Sequence, residues 1–202
     1  MKLVLALLTC LIGVSTATLA SAEDATTATA VLAGGCFWCM EHDMRQLAGV
    51  VDATAGYTGG SRPMPTYDNY FETSEGHPPH VEAVRVVYDP KKVSYQKVLD
   101  YYFHHIDPTD GDGQFCDRGA SYRPVIFVAN DAEKATAEAE KAAVRKQLKT
   151  RIEVEIAPAQ TFWRAEEDHQ QYAERNTFTY SFYRWNCGRD ARVQEVWGMA
   201  TN

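Results

Sequence analysis

The alternation of apolar and polar positions divides the chain into strands, helices and two long irregular stretches. Ala30-Val31-Leu32-Ala33 is a short apolar strand that stops at Gly34-Gly35, and the residues from roughly Cys36 to Leu47 read as a helix. Gly49 to Tyr57 is a second strand, bounded by glycines. From Thr58 to His80 no period is sustained, which marks a long loop whose aromatics Tyr67, Tyr70 and Phe71 argue for order. Val81 to Tyr88 is rich in β-branched residues and ends at the turn Asp89-Pro90. Ser94 starts a helix to about His105, with Val98, Leu99, Tyr102 and Phe103 on one face. A second loop, Asp107 to Tyr122, is rich in Gly and Asp. Pro124 to Val128 is a buried strand, Asp131 caps an Ala/Glu/Lys-rich helix to about Leu148, and Ile152 to Ile156 alternates as a half-buried strand. A short helix is predicted over Ala165 to Arg175. The aromatic stretch Thr177 to Trp185 shows no clear period and is expected to wrap over the core as an irregular tail. This succession predicts an α+β fold: a two-layer α/β sandwich with a split βαβ, ferredoxin-like core.

The amino terminus follows a different rule. Met1-Lys2, an apolar run from Leu3 to Val14 and the small residues ending Ala20-Ser21-Ala22 have the parts of a secretory signal, with cleavage expected after Ala22. The run is too short to span a bilayer comfortably, so no permanent membrane span is expected. Leu7-Leu8-Thr9 before Cys10 lacks the small residue that precedes a lipidated cysteine. The organisation is therefore a signal at 1–22, a flexible leader at 23–29 and a single domain at 30–202, exported and periplasmic. The 202-residue chain carries a formal charge of −7, and loss of Lys2 with the signal makes it more acidic, which disfavours nucleic acid as a partner.

The candidate chemistry starts at Gly34-Gly35-Cys36-Phe37-Trp38-Cys39. A thiol in the first turn of a helix sits among unpaired N–H groups and the positive end of the dipole, which favour the thiolate. Cys36 is the candidate nucleophile. Of the five cysteines, Cys10 falls in the signal; Cys36, Cys39, Cys116 and Cys187 remain, and as an exported set they allow three disulfide pairings. Glu82, between Val81 and Ala83-Val84, reads on its own as a glutamate on the open face of a strand; if buried, it would hold its proton near neutrality.

Gly-Cys-Phe-Trp-x-x-Glu, here Gly35 to Glu41, resembles the signature of the A-type peptide methionine sulfoxide reductases. His80-Val81-Glu82 resembles the segment carrying that family's catalytic acid, with an insertion-like Pro78-Pro79-His80. Tyr67 and Tyr122 match the two tyrosines that hold the sulfoxide oxygen, and Asp117 matches an aspartate that places substrate and water. Glu166 to Tyr172 matches a further segment, read as structural, with Asp168-His169 on a surface helix. The resemblance implies that Cys36 attacks the sulfoxide sulfur while Glu82 protonates the oxygen, with Phe37 and Trp38 as the apolar wall for the methyl group. Cys36 is then left as a sulfenic acid, resolved to an intramolecular disulfide. Cys187 ranks first as resolver because family members commonly keep a thiol near the C-terminus; Cys39 and Cys116 are alternatives. Many members have glycine at the position of Cys39, and a cysteine beside Asp117 is not usual. The resemblance further implies no bound cofactor, methionine sulfoxide, free or in proteins, as substrate, a thioredoxin-like dithiol as reductant, and a monomer.

Two other readings stand beside it. A thioredoxin-like thiol-disulfide oxidoreductase would need only Cys36 and Cys39. A metal-binding protein would use His77, His80, His104, His105 and a cysteine, but their spacing matches no standard site, and adjacent His104 and His105 on a helix face opposite ways.

Overall fold

The computed structural model describes residues 27–73 and 78–198; the signal, most of the leader and His77 lie outside the described residues. Strand β1 (Ala28–Ala33) leads through the glycine turn into α1 (Phe37–Arg45), followed by β2 (Val50–Thr58), β3 (Val81–Tyr88) and α2 (Tyr95–Phe103). The second loop holds a small hairpin, β4 (Gly113–Gln114) and β5 (Asp117–Arg118), before β6 (Val125–Val128), α3 (Asp131–Leu148), β7 (Glu155–Pro158) and β8 (Trp163–Arg164). The chain ends in α4 (Tyr172–Arg175), α5 (Thr177–Asn186) and α6 (Arg189–Trp197).

The main sheet runs β7-β6-β1-β3-β2-β8. β3 lies antiparallel between β1 and β2, and β1 lies antiparallel between β3 and β6, so two split βαβ units interlock. The two-layer, ferredoxin-like expectation holds. α3 adds β7 parallel to β6, and β8 closes the other edge on β2.

Strand parity decides what reaches the site. Val84, Val86 and Tyr88 of β3 pack into the main core with Leu32, Phe37, Met40, Leu99 and Tyr102, whereas Val81 and Ala83 pack on the opposite face with Ala33, Val125 and Phe127. Residue 82 has the parity of 84, 86 and 88, so Glu82 points under α1. It is 2% exposed, and the open-face reading is corrected.

Four further expectations change. Asn130, not Asp131, caps α3: its Oδ1 accepts from Glu133 N at 2.9 Å, and Asp131 begins the helix. Pairing in β7 starts only at Glu155, because Glu153 N bonds to Pro108 O and draws the preceding residues off the sheet edge. The helix expected over 165–175 is a 3-10 turn at Glu167–His169 followed by α4, divided by Gln171 in the left-handed region (φ 51°). The tail is not irregular but forms α5 and α6. Its period was masked because α5 carries aromatics on both sides: Tyr180 is buried while Phe178, Phe182 and Trp185 are 89%, 61% and 74% exposed.

Candidate active site

Gly35 turns the chain at φ 81°, and a Cβ there would come 2.6 Å from the Cβ of Gln114, so the entry to α1 needs glycine. Cys36 is the N-cap of α1; its carbonyl accepts from the N–H groups of Cys39 (3.2 Å) and Met40 (3.1 Å). The next N–H, that of Phe37, donates to Glu82 Oε2 at 2.8 Å. Glu82 therefore lies directly beneath the helix start that presents the nucleophile.

The other oxygen of Glu82 accepts from the Tyr70 hydroxyl at 2.9 Å, and Tyr70 bonds in turn to the Tyr122 hydroxyl at 3.0 Å. Burial pushes the Glu82 carboxyl up to about 8, against the bonds from Phe37 and Tyr70 that favour its charged form. The Tyr67 and Tyr122 phenols lie near this carboxyl, and Tyr70, not among the candidate site residues, supplies the hydroxyl bonded to it. Tyr67 lies at the rim: its N–H donates to Glu166 Oε1 at 2.9 Å, and its ring lies 6.3 Å from Phe37 and 4.3 Å from His169. Burial, with Glu82 and Cys36 nearby, pushes its phenol up to about 12.

The wall is aromatic. Trp38 stacks on Tyr172 with ring centroids 3.8 Å apart, and its indole N–H donates to His169 Nδ1 at 3.2 Å. His169 is buried, so the surface-helix reading fails for it, although Asp168 is exposed. The whole stretch 166–172 braces the site. Glu166 also accepts from the Tyr57 hydroxyl, Gln170 bonds both backbone groups of Ala55, and Gln171 N donates to the buried Glu41 at 2.7 Å.

α5 covers the thiols. Cys36 is 5% exposed, and Cys36, Cys39, Ala173 and Tyr180 form one buried cluster flanked by Trp38, Tyr172 and Tyr183. The Tyr183 hydroxyl lies against the Cys36 sulfur and donates to Asp117 Oδ2 at 2.5 Å. Under this cover the helix dipole does not dominate. Burial pushes the Cys36 thiol up, as do its hydrogen bond with Cys39 and the negative charges of Cys39 and Glu82. Cys39 is held below its usual value, first by the hydrogen bond from Cys36 and then, against burial, by the guanidinium of Arg189. Burial thus opposes the effect that the helix start alone would have on the Cys36 thiol.

Cys187 caps the C-terminal end of α5 and is joined in a disulfide to Cys116, 71 residues away. The Asp117 carboxylate lies 3.9 Å from each of these sulfurs, and burial pushes its pKa up. Cys36 and Cys39 are free. Among the described residues, Cys116, Asp117 and Cys187 form the group with ligating atoms close enough for a metal, but its sulfurs are spent in the disulfide. The histidines of the metal reading are engaged separately. His80 accepts from Gly60 N at 3.1 Å and bonds Arg62 O at 2.7 Å, while His104 and His105 each bond the carbonyl one turn back. Among the described residues no helix is long and apolar enough to cross a membrane.

A family model described as peptide methionine sulfoxide reductase matches residues 28–201. Peptide methionine sulfoxide reductase MsrA 2 of Caulobacter vibrioides is 52% identical over 173 residues, covering 85% of this chain and 86% of that protein. Mxr1 from Saccharomyces cerevisiae in reduced form superposes with a TM-score of 0.68 at 30% identity, over 77% of this chain and 88% of that one. A structure of Mxr1 in complex with Trx2 superposes with a TM-score of 0.52 at 26% identity, over 75% of this chain and 88% of that one.

Proposed function

This chain belongs to the peptide methionine sulfoxide reductase family, and we propose how its own residues carry out that chemistry. It is a thiol-dependent enzyme that reduces methionine sulfoxide to methionine. The thioredoxin-like alternative is not favoured, since Cys36 and Cys39 alone would leave the Glu82–Tyr70–Tyr122 chain without work.

The observation that carries the mechanism is Glu82. Its carboxyl is buried, is held protonated up to about pH 8, and is bonded to the N–H beside Cys36. Cys36 attacks the sulfoxide sulfur, and Glu82 gives its proton to the oxygen. The Tyr67 and Tyr122 hydroxyls, both near Glu82, stabilise the negative charge gathering on that oxygen, as oxyanion donors do, while Tyr70 donates to Glu82 itself. Trp38, Phe37 and Tyr67 wall the methyl group, and a sulfur–aromatic contact favours the thioether product. The hydroxyl then passes to the Cys36 sulfur as the bond between Cys36 and the substrate sulfur breaks and its electrons stay on the methionine sulfur; methionine leaves, Cys36 is a sulfenic acid, and a second thiol converts it to a disulfide with loss of water before further oxidation. Asp117 and Tyr183 hold the resolving region in place. Reduction of the S epimer, in free methionine or in oxidised proteins, is part of the same reading.

The disulfide is restored by a thioredoxin-like dithiol; the complex of Mxr1 with Trx2 supports a donor of that class. Export follows from the amino-terminal pattern, and the domain then meets its donor outside the cytosol. Sequencing the processed protein should find Glu23 first; an intact Met1 in an envelope fraction would oppose this.

The decisive experiment is single-turnover reduction of the separated sulfoxide epimers by pre-reduced protein. Methionine from the S epimer alone, abolished in Cys36→Ser, is expected. Turnover surviving in Cys36→Ser, or absent from the unmutated chain, would end the proposal.

A further inference from the structure

We propose that Cys116, Asp117 and Cys187 hold a zinc ion once their disulfide is reduced, which makes this corner of the fold a redox-gated metal site. The site goes beyond sulfoxide reduction, since it concerns what the reduced pair binds and not how the pair is oxidised.

Two thiolates and a carboxylate are a zinc donor set. Zinc takes thiolate sulfur at about 2.3 Å and carboxylate oxygen at about 2.0–2.2 Å, arranged as a tetrahedron. Those bonds put the two sulfurs about 3.8 Å apart and each sulfur about 3.6 Å from the oxygen. The Asp117 carboxylate lies 3.9 Å from both sulfurs, its Oδ1 from that of Cys116 and its Oδ2 from that of Cys187. Among the described residues these three are the group whose ligating atoms all lie within 4.8 Å of one another. The Cα atoms of the two cysteines are 5.0 Å apart, so both side chains reach one ion. Only the sulfurs have to separate, and breaking their bond does that.

The surroundings suit a bound cation. The N–H of Cys116 donates to the Cys187 sulfur at 3.2 Å, a bond that a thiolate accepts more strongly than a thiol. The Tyr183 hydroxyl donates to Asp117 Oδ2 at 2.5 Å, which orients the carboxylate and leaves Oδ1 to the ion. Cys116 is exposed while Asp117 and Cys187 are half-buried, so the ion enters from solvent and keeps a water in its fourth position. Thiolate ligands select zinc over magnesium and calcium, which prefer oxygen.

The disulfide and the ion exclude each other. A dithiol donor breaks the S–S bond, its two electrons and two protons leaving both sulfurs as thiols. Zinc then displaces those two protons and forms two Zn–S bonds. The disulfide closes again only after the ion leaves, because both sulfurs are engaged by it. In either state α5 stays tied to the second loop, and in the zinc-bound state the reduced pair is guarded from oxidation.

The test uses the full chain in two forms, one with the disulfide intact and one reduced and freed of reductant without air. Both are titrated with zinc chloride against a fluorescent zinc chelator. The reduced form should bind one zinc with release of protons, and the oxidised form none. One equivalent of zinc should slow the reaction of Cys116 and Cys187 with N-ethylmaleimide at least about ten-fold and leave Cys36 and Cys39 unchanged, as read by peptide mapping. Tyr183→Phe should weaken zinc binding about 10–100-fold, Cys116→Ser should abolish it, and Cys36→Ser should keep it. Mapping the unmutated chain locates the ion whether or not a variant folds. Equal uptake by the oxidised form, protection of Cys36 and Cys39 instead, retention of zinc by Cys116→Ser, or no uptake by the reduced form at micromolar zinc would overturn the site. Sulfoxide reduction measured on the same preparations without zinc keeps that outcome separate from the reductase reading.

Discussion

Glu82→Gln is expected to make the protein more stable towards alkaline pH and nearly inactive. The carboxyl is 2% exposed, and burial raises its pKa from 4.5 to about 8. The folded state therefore binds this proton more tightly than the unfolded state. Its stabilising contribution is complete below about pH 4.5 and is lost as the pH rises towards 8, at ~1.4 kcal/mol per pH unit. Across the whole window that comes to ~5 kcal/mol, and at pH 7 to ~3 kcal/mol. Glutamine does not titrate and can keep the local bonds. Its oxygen accepts from Phe37 N, and its amide donates to Tyr70, whose hydroxyl still reaches Tyr122. The stability difference between variant and unmutated protein should thus be small at pH 4.5 and favour the variant increasingly up to pH 8. Urea unfolding from pH 4.5 to 8.5, with Cys116–Cys187 kept oxidised in both proteins, measures it; other titrating groups cancel in the difference. First-turnover methionine formation should fall by about 10²–10⁴ because the proton donor is gone. Stability curves that stay parallel across this window would falsify the claim that Glu82 is held protonated, and an unchanged first turnover would remove it as the acid.

Three further substitutions probe its surroundings. Tyr70→Phe removes a bond that favours charged Glu82, so the alkaline limb of the single-turnover rate should move to higher pH; a limb moving to lower pH would contradict the network. Gly35→Ala forces a side chain into φ 81° and against Gln114, and should cost about 1–3 kcal/mol in urea unfolding; unchanged stability would show that the turn tolerates a Cβ. His169→Phe strips the acceptor from the Trp38 indole and should raise KM for the sulfoxide more than it lowers the first-turnover rate, with His169→Gln largely restoring it. Equal loss in both variants, or an effect confined to the rate, would argue against a positioning role.

What the sequence revealed and what it concealed divide by distance along the chain. β1, the glycine turn and the start of α1 are local features, written in neighbouring residues, and the chemistry of Cys36 was legible there. β3 was legible from its β-branched run, but the side to which Glu82 points depends on which sheet face the helices cover, and that is settled only when β1, β2 and β6 assemble around it. Tyr67, Tyr70 and Tyr122 come from two loops without period, so neither their approach to Glu82 nor the bond Tyr70 makes to it is written in any local pattern. The thiol environment lay furthest from view. Cys116 meets Cys187 across 71 residues, Trp38 meets His169 across 131, and Asp43 meets Arg184 across 141. Each of these contacts comes from the segment 166–198 folding back over α1. The same fold-back buries Cys36, and so reverses the effect that a helix start alone would have on its thiol. A nucleophile can therefore be located from its own turn, while the side chains that cover it, Ala173, Tyr180 and Tyr183, come from more than a hundred positions later.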